Sequence, residues 1–382
     1  MRTEICDQLG IEFPIFAFSH CRDVVAAVSR AGGMGVLGAT AYSPGHLEVA
    51  LDWLDEHVGD RPYGVDVIVP AKYLGDDTGG MTQRQAVDLI PPEHREFVAD
   101  LLDRYQVAPL LDEDADPEPP DEDRFMPFST QSAHALLEVV WHHPKVKLIA
   151  NALGPAPDYL VREGHTRGVI VAGLVGKVEH ARRQKEAGVD LIIAQGSEAG
   201  GHTGEIGTMV LTPQVVDAVA PLPVLAAGGI ADGRQIAAAL ALGAQGVWAG
   251  SVWLTTEEAE THPVVKEKFL AATSADTVRS RSKTGKPARQ LRSAWTDEWA
   301  RSDTPDPLPM PLQSALVAGA EVRIARSAAS SEGARQLINY YVGQVVGQMN
   351  QTKPAATVVM DMVESYIEAA SRLGATVSLT PG

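Results

Sequence analysis

Eight short apolar runs, separated by helical segments that tend to stop at glycine, constrain this chain more than any other feature. The runs are Pro14–Phe18, Met34–Gly38, Tyr63–Val69, Val146–Leu153, Gly168–Leu174, Val189–Gln195, Pro223–Gly228 and Gln245–Gly250. Most are apolar throughout rather than alternating, as in strands of a parallel sheet covered on both faces. Between them, helices are expected over Asp23–Ala31, Pro44–His57, Pro155–Glu163, Lys177–Ala187 and Asp232–Leu242. The last three end at Gly164, Gly188 and Gly243, residues that can take the left-handed conformation after a helix. Eight strand–helix units in one sheet predict an α/β protein built as a (β/α)8 TIM barrel. At 382 residues, 45% hydrophobic and 21% charged, the chain has the apolar mass for one large core.

Two stretches depart from the regular rhythm. Residues of about 70–145 form an insertion after the third strand, with helices expected over Pro92–Tyr105 and Thr130–His142. Between those helices, residues 112–123 hold eight Asp and Glu and three Pro, a composition that cannot bury apolar surface and reads as a mobile loop. Insertions between strand and helix sit at the catalytic mouth of a barrel, so this one is expected to cap it. The barrel domain is then 1–274, followed by an extension over 275–382. In that extension Ser280–Arg292 reads as basic and irregular, while Glu332–Met349 and Ala355–Leu373 read as helical. It could pack on the barrel, cover the site or form a homodimer contact.

The net charge of −17 argues against nucleic acid or an anionic membrane as the main partner. Cys6 and Cys21 are the only cysteines, with no C-x-x-C and no His/Cys cluster at ligand spacing, so no metal site is expected. That usage, an amino terminus without a signal-like apolar stretch and no run of about 18 apolar residues point to a cytoplasmic protein without a membrane span.

The chemistry is concentrated at the ends of the last three strands. Residues 194–204 read Ala-Gln-Gly-Ser-Glu-Ala-Gly-Gly-His-Thr-Gly, directly after the sixth apolar run. Glycines such as Gly200 and Gly201 let backbone approach a planar cofactor, and His202 is the type of side chain that titrates near neutral pH. Glu198 either bonds loop amides or orients His202. Ser197 lacks the G-x-S-x-G surroundings of a hydrolase nucleophile. Gln195 can both accept and donate, which suits the pyrimidine edge of a flavin. Asp66, inside Tyr63-Gly64-Val65-Asp66-Val67, is a carboxylate in a buried strand and needs a partner, either a cofactor group or a salt bridge within the barrel. The turns at Gly228-Gly229 and Gly250-Ser251 follow strands seven and eight, where barrels commonly seat a phosphate on backbone amides. Lys177 belongs to no nucleotide loop and reads mainly as a helix-start surface residue.

The stretch Gln195–Gly204, with Glu198, Gly200, Gly201, His202 and Gly204, resembles the E-A-G-G-H-x-G signature of the nitronate monooxygenase family, formerly the 2-nitropropane dioxygenases. The turn Ala226–Ile230, Gly250-Ser251, the run Thr284-Gly285-Lys286-Pro287-Ala288-Arg289 and the opening Phe13-Pro14-Ile15 with Ala26–Gly35 resemble it too. This resemblance implies a TIM barrel binding FMN, with His202 as the base that takes the proton α to a nitro group and dioxygen as final acceptor. It implies that Ala17 and Phe18 lie against the flavin. It also implies that Asp66, Gln195, Gly200, Gly201, Gly228, Gly229, Gly250 and Ser251 hold its ring and phosphate. The chain departs from the family pattern in having Phe18-Ser19-His20 where Pro-Met is usual, Asp at position 66 where Asn is common, and the long insertion.

The same histidine motif resembles that of flavin-dependent enoyl-acyl-carrier-protein reductases, so a second expectation is NAD(P)H-dependent reduction of an enoyl-ACP or acyl-CoA thioester. The small-molecule partner is then a nitronate, a nitroalkane or a thioester, with O2 or NAD(P)H as redox partner. A flavin-binding protein without turnover is a third expectation. An inosine-monophosphate dehydrogenase type of barrel needs a cysteine after strand six, and none occurs beyond position 21.

Overall fold

The apolar runs pair in chain order and close on themselves. The computed structural model describes residues 1–69, 80–109, 126 and 129–376. Its parallel strands are β1 (Ile15–Ser19), β2 (Met34–Gly38), β3 (Tyr63–Ile68), β4 (Val146–Ala152), β5 (Ile170–Val175), β6 (Leu191–Gln195), β7 (Val224–Ala227) and β8 (Gly246–Ala249). Each pairs with the next, and β8 returns to β1 with Phe16 opposite Trp248 and Ala17 opposite Ala249, closing an eight-stranded barrel. Each strand starts and ends within two residues of the apolar run that predicts it.

Alternation along each strand sorts the core into two layers. Phe16, Met34, Leu148, Ile193, Leu225 and Trp248 fill the barrel interior, closed at its amino end by Ile5 and Leu9 of the helix Glu4–Leu9. Their neighbours Ile15, Ala17, Val65, Ile149, Ile192 and Val247 face the surrounding helices. The helix Pro44–His57 starts as its sequence prescribes: Pro44 opens it, and Ser43 Oγ accepts from His46 N at 3.3 Å. The helix Thr208–Val219, between β6 and β7, carries Pro213 inside it and escapes a reading based on regular helix signals.

The insertion and the extension fold together. Val98 and Leu101 of the insertion helix Pro92–Arg104 share a core with Trp295, Trp299, Val317, Ile324 and Leu337 of the extension. Arg104 makes a two-pronged contact with Glu298 at 3.1 and 3.0 Å, joined by the Tyr105 hydroxyl at 3.2 Å. The expected helix at Thr130 runs over Thr130–Val140. The acidic run 112–123 lies outside the described residues.

Two expectations for the extension need correction. Ser280–Arg292 is not irregular: β9 (Thr277–Ser280) and β10 (Ala288–Leu291) form an antiparallel hairpin around a turn at Gly285. The segment Glu332–Met349 is helical only over Glu332–Leu337. It then runs extended past Asn339, whose amide bonds Gln290, Leu291 and Ser293, before a 3-10 turn at Gln344–Gln348. The helix Leu312–Ser327 carries no clear sequence signal, since nothing caps its start and its buried positions are Leu312, Gln313, Val317, Ala320 and Ile324. The last helix, Ala355–Thr376, lies on the barrel helix Gly233–Ala241, with Gly233 N donating to Ser365 Oγ at 2.8 Å. A Cβ on Gly233 would meet Tyr366 N at 2.0 Å, so this crossing requires glycine.

Candidate active site

A cleft of about 1450 Å³ opens over the carboxyl ends of the strands. That is larger than the usual pocket for one small ligand. The inward alternation delivers Phe18, Asp66 and Gln195 to its floor, and the loops after β6, β7 and β8 deliver Gly200–His202, Gly228-Gly229 and Gly250-Ser251. Phe18 stacks on Trp248 with ring centres 6.0 Å apart, giving the floor a flat aromatic patch.

The loop after β6 is held at several points. Ser197 N donates to Ile206 O at 2.8 Å, and the Glu198 carboxylate accepts from Thr208 N and Oγ1 at 2.9 and 3.0 Å. Glu198 therefore anchors the next helix rather than orienting His202. The extension clamps the other side, with Arg289 Nε donating to Ser197 O at 2.8 Å and Gln344 N to Glu198 O at 2.9 Å. A side chain at Gly200 would come within 2.9 Å of Gly343 N, so the loop and the extension touch through backbone there.

His202 sits in a two-residue strand paired with β10, opposite Ala288. Its Nε2 lies 2.7 Å from Thr284 Oγ1, while Nδ1 has no protein partner among the described residues. Burial first, and the charge of Lys286 second, lower its pKa to about 4. The imidazole is therefore neutral at physiological pH, with one nitrogen occupied and the other available to the cleft. The ring of Tyr341 lies 6.5 Å from it.

Asp66 is 5% exposed, and no cation or hydrogen-bond donor among the described residues meets its carboxyl. Burial raises its pKa to about 7. Among the described residues the salt bridge allowed by the sequence is thus absent, and the carboxyl faces the cleft with no partner from them. The main-chain N–H groups of Gly228, Gly229, Gly250 and Ser251 likewise meet no protein acceptor among the described residues. Gly228 and Gly229 have φ of 95° and 73°, the left-handed region where glycine is favoured. Ser251 Oγ accepts from Gly343 N at 2.8 Å, which leaves its own proton to donate.

A family model described as nitronate monooxygenase matches residues 2–365. The chain belongs to the nitronate monooxygenase family. It is 60% identical over 375 residues to a putative monooxygenase of Mycobacterium tuberculosis, covering 98% of each chain. It is 31% identical over 360 residues to a probable nitronate monooxygenase of Staphylococcus saprophyticus, covering 90% of this chain and 92% of the relative. Among solved structures, nitroalkane oxidase from Streptomyces ansochromogenes matches with a TM-score of 0.78 at 27% identity, covering 97% of this chain and 99% of that one. FabK from Thermotoga maritima matches with a TM-score of 0.72 at 30% identity, covering 99% and 100%. The protein is an oxidoreductase, and nitronate monooxygenases are flavoproteins.

The cleft has groups suited to a flavin on this structure's own terms. It offers unpaired amides at two glycine turns for an anion, an orphaned buried carboxyl and an amide side chain for a polar ring edge, and an aromatic floor. Nine of the ten cofactor-binding candidates line this cleft together with His202. Ala17 does not: it is fully buried toward the helix layer, because the residue before an inward-facing strand residue must face outward. Lys177 is exposed at the start of the helix Val178–Glu186, as its sequence position suggests, and also borders the cleft. Thr284, Lys286 and Tyr341 are the residues that a reading by sequence motif leaves without a role. The signal for Thr284 and Lys286 is the run 284–289, which gains meaning once the hairpin lays it against His202; Tyr341 has none. Elsewhere Cys21, Asp23 and Glu260 come together, but Cys21 Sγ donates to Glu258 O at 3.0 Å and burial pushes its pKa up, so it stays a thiol.

Proposed function

We propose that this protein is an FMN-dependent enzyme that oxidises alkyl nitronates with dioxygen as acceptor, using His202 as its base. The observation that carries the reading is the neutral imidazole of His202, fixed through Nε2 and open at Nδ1, in a cleft lined by unpaired amides. The amides of Gly228, Gly229, Gly250 and Ser251 would take the phosphate, as a nest of main-chain N–H groups does. Asp66 and Gln195 would hold the pyrimidine edge, with Gly200, Gly201 and Phe18 against the ring. The chemistry supplied by bound FMN is electron transfer from the substrate to dioxygen. His202 accepts the α-proton when the substrate arrives as a neutral nitroalkane. For Nδ1 to do so, Nε2 must carry the hydrogen and donate it to Thr284 Oγ1. The two unpaired cysteines, both buried, support a reducing, cytoplasmic setting.

The match to FabK favours a second reading, NAD(P)H-dependent reduction of an enoyl-ACP or acyl-CoA thioester in the same cleft. Anaerobic flavin bleaching separates the two. Bleaching by a nitronate, with no effect of NADH or NADPH, supports the first reading, and rapid bleaching by a nicotinamide supports the second. His202→Ala should keep its flavin and lose about 10²–10⁴-fold in turnover of a neutral nitroalkane. Full turnover by that variant would remove His202 from the chemistry.

A further inference from the structure

The hairpin that reaches over the cleft is strongly basic, and its cations are not equivalent. Arg279 donates to Thr203 O at 3.1 Å, Arg281 to Gly285 O at 2.9 Å, Arg289 to Ser197 O at 2.8 Å and Arg292 to Asp297 at 2.8 Å. Lys283 is paired with Glu321. Among the described residues the side chain of Lys286 alone of these has no hydrogen-bond or ion-pair partner, although the residue is half-buried and lines the cleft beside His202.

Its position is also fixed. Gly285 is in the left-handed region with φ of 80°, and a Cβ there would strike Leu308 O at 2.0 Å, so the turn is locked against the extension. Thr284, two residues before Lys286, holds His202. A half-buried ammonium without a counter-charge is costly, and an anion from outside the chain removes that cost.

We propose that Lys286 is the seat for an oxyanion on the substrate, next to the carbon that His202 serves. The enzyme then selects a substrate that arrives already anionic, such as a nitronate, over its neutral nitroalkane parent. An enolate oxygen derived from a thioester would satisfy the same ammonium, and the two sources are separated below. This rests on the reading of His202 as the proton-transfer group. It also gives a reason for so weak a base: with the anion supplied ready-made, the histidine has little proton abstraction to do.

The test compares the flavin-loaded wild type with Lys286→Met and Lys286→Arg. For a secondary alkyl nitronate, Lys286→Met should raise KM about tenfold or more, the loss expected for one charge-assisted contact. The neutral nitroalkane should show less than about a threefold change, and Lys286→Arg should restore most of the nitronate affinity. For the neutral nitroalkane, whose α-proton His202 takes, the acid limb of kcat/KM near pH 4 should move upward in Lys286→Met because the neighbouring positive charge is gone. Nitrate, an unreactive oxyanion, should perturb the flavin spectrum of the wild type and not of Lys286→Met. Equal effects on nitronate and nitroalkane, or a nitrate response that survives Lys286→Met, would overturn the assignment. Should the wild type turn over neither nitro compound and instead reduce a thioester, the nitronate reading falls, and the nitrate titration still decides whether Lys286 seats an oxyanion.

Discussion

Replacing Asp66 by Asn tests the reasoning about the cleft floor without any substrate. The two side chains have the same shape, so packing is preserved and the charge is removed. An ordinary carboxyl titrates at 3.8, and burial moves this one to about 7. Below pH 4 it is protonated in both folded and unfolded chains and has no effect on stability. Between pH 4 and 7 the unfolded chain releases its proton while the folded one keeps it, so native stability is lost as pH rises. Above pH 7 both forms are ionised and the loss is complete, at about 4 kcal/mol. The flavin-free Asp66→Asn protein should therefore match the wild type near pH 4 and exceed its stability by up to about 4 kcal/mol at pH 8. His202 acts in the opposite sense, since its lowered pKa costs stability as pH falls below 6.5. That contribution is common to both proteins and cancels in their difference. Urea unfolding followed by tryptophan fluorescence at pH 4, 6 and 8 measures the difference directly. A gap between the two proteins that does not vary with pH would refute the claim that Asp66 is an unpaired, buried carboxyl.

Two further outcomes follow from contacts at the mouth and in the helix layer. Thr284→Val removes the hydroxyl 2.7 Å from His202 Nε2 and leaves the imidazole tautomer unfixed. It should lower kcat/KM for a neutral nitroalkane about five- to tenfold, with flavin affinity and thermal stability unchanged; unchanged kcat/KM would mean that Thr284 does not position His202. Gly233→Ala would drive a methyl against Tyr366 N and Met362 O of the last helix, at 2.0 and 2.2 Å. It should destabilise the protein by about 2–3 kcal/mol and expose the helix Ala355–Thr376 to limited proteolysis; a wild-type cleavage pattern would show that the crossing is looser than described.

What could be read from the sequence here was what local physics determines. Strands such as Leu191–Gln195 and helices such as Pro44–His57 announce themselves through apolar runs, a Ser-Pro cap and closing glycines, and these are short-range properties of the chain. The loop Gly200–His202 was legible for the same reason, since a histidine among glycines directly after a buried strand can only emerge at the barrel mouth. Ala17 was misplaced because motif position does not say which face of a strand a residue takes, and alternation turns it toward the helices while Phe18 turns inward. The hairpin β9–β10 was illegible because its stability is not local. Its strands are short and rich in arginine, and they hold their form through Arg289 on Ser197 O, Arg279 on Thr203 O and the ladder to Gly201–His202. These partners lie 76 to 92 residues away in the chain. The same distance explains the chemistry that was missed. The nucleus of the site, His202, is written in one loop, but its hydrogen-bond partner Thr284 and the charge that weakens it as a base, Lys286, arrive on a segment whose sequence reads as basic and irregular. A barrel strand can present a histidine by itself. Setting which nitrogen carries the proton, and placing an unpaired ammonium beside it, takes a second element folded across the mouth, and in this chain the extension after β8 is that element.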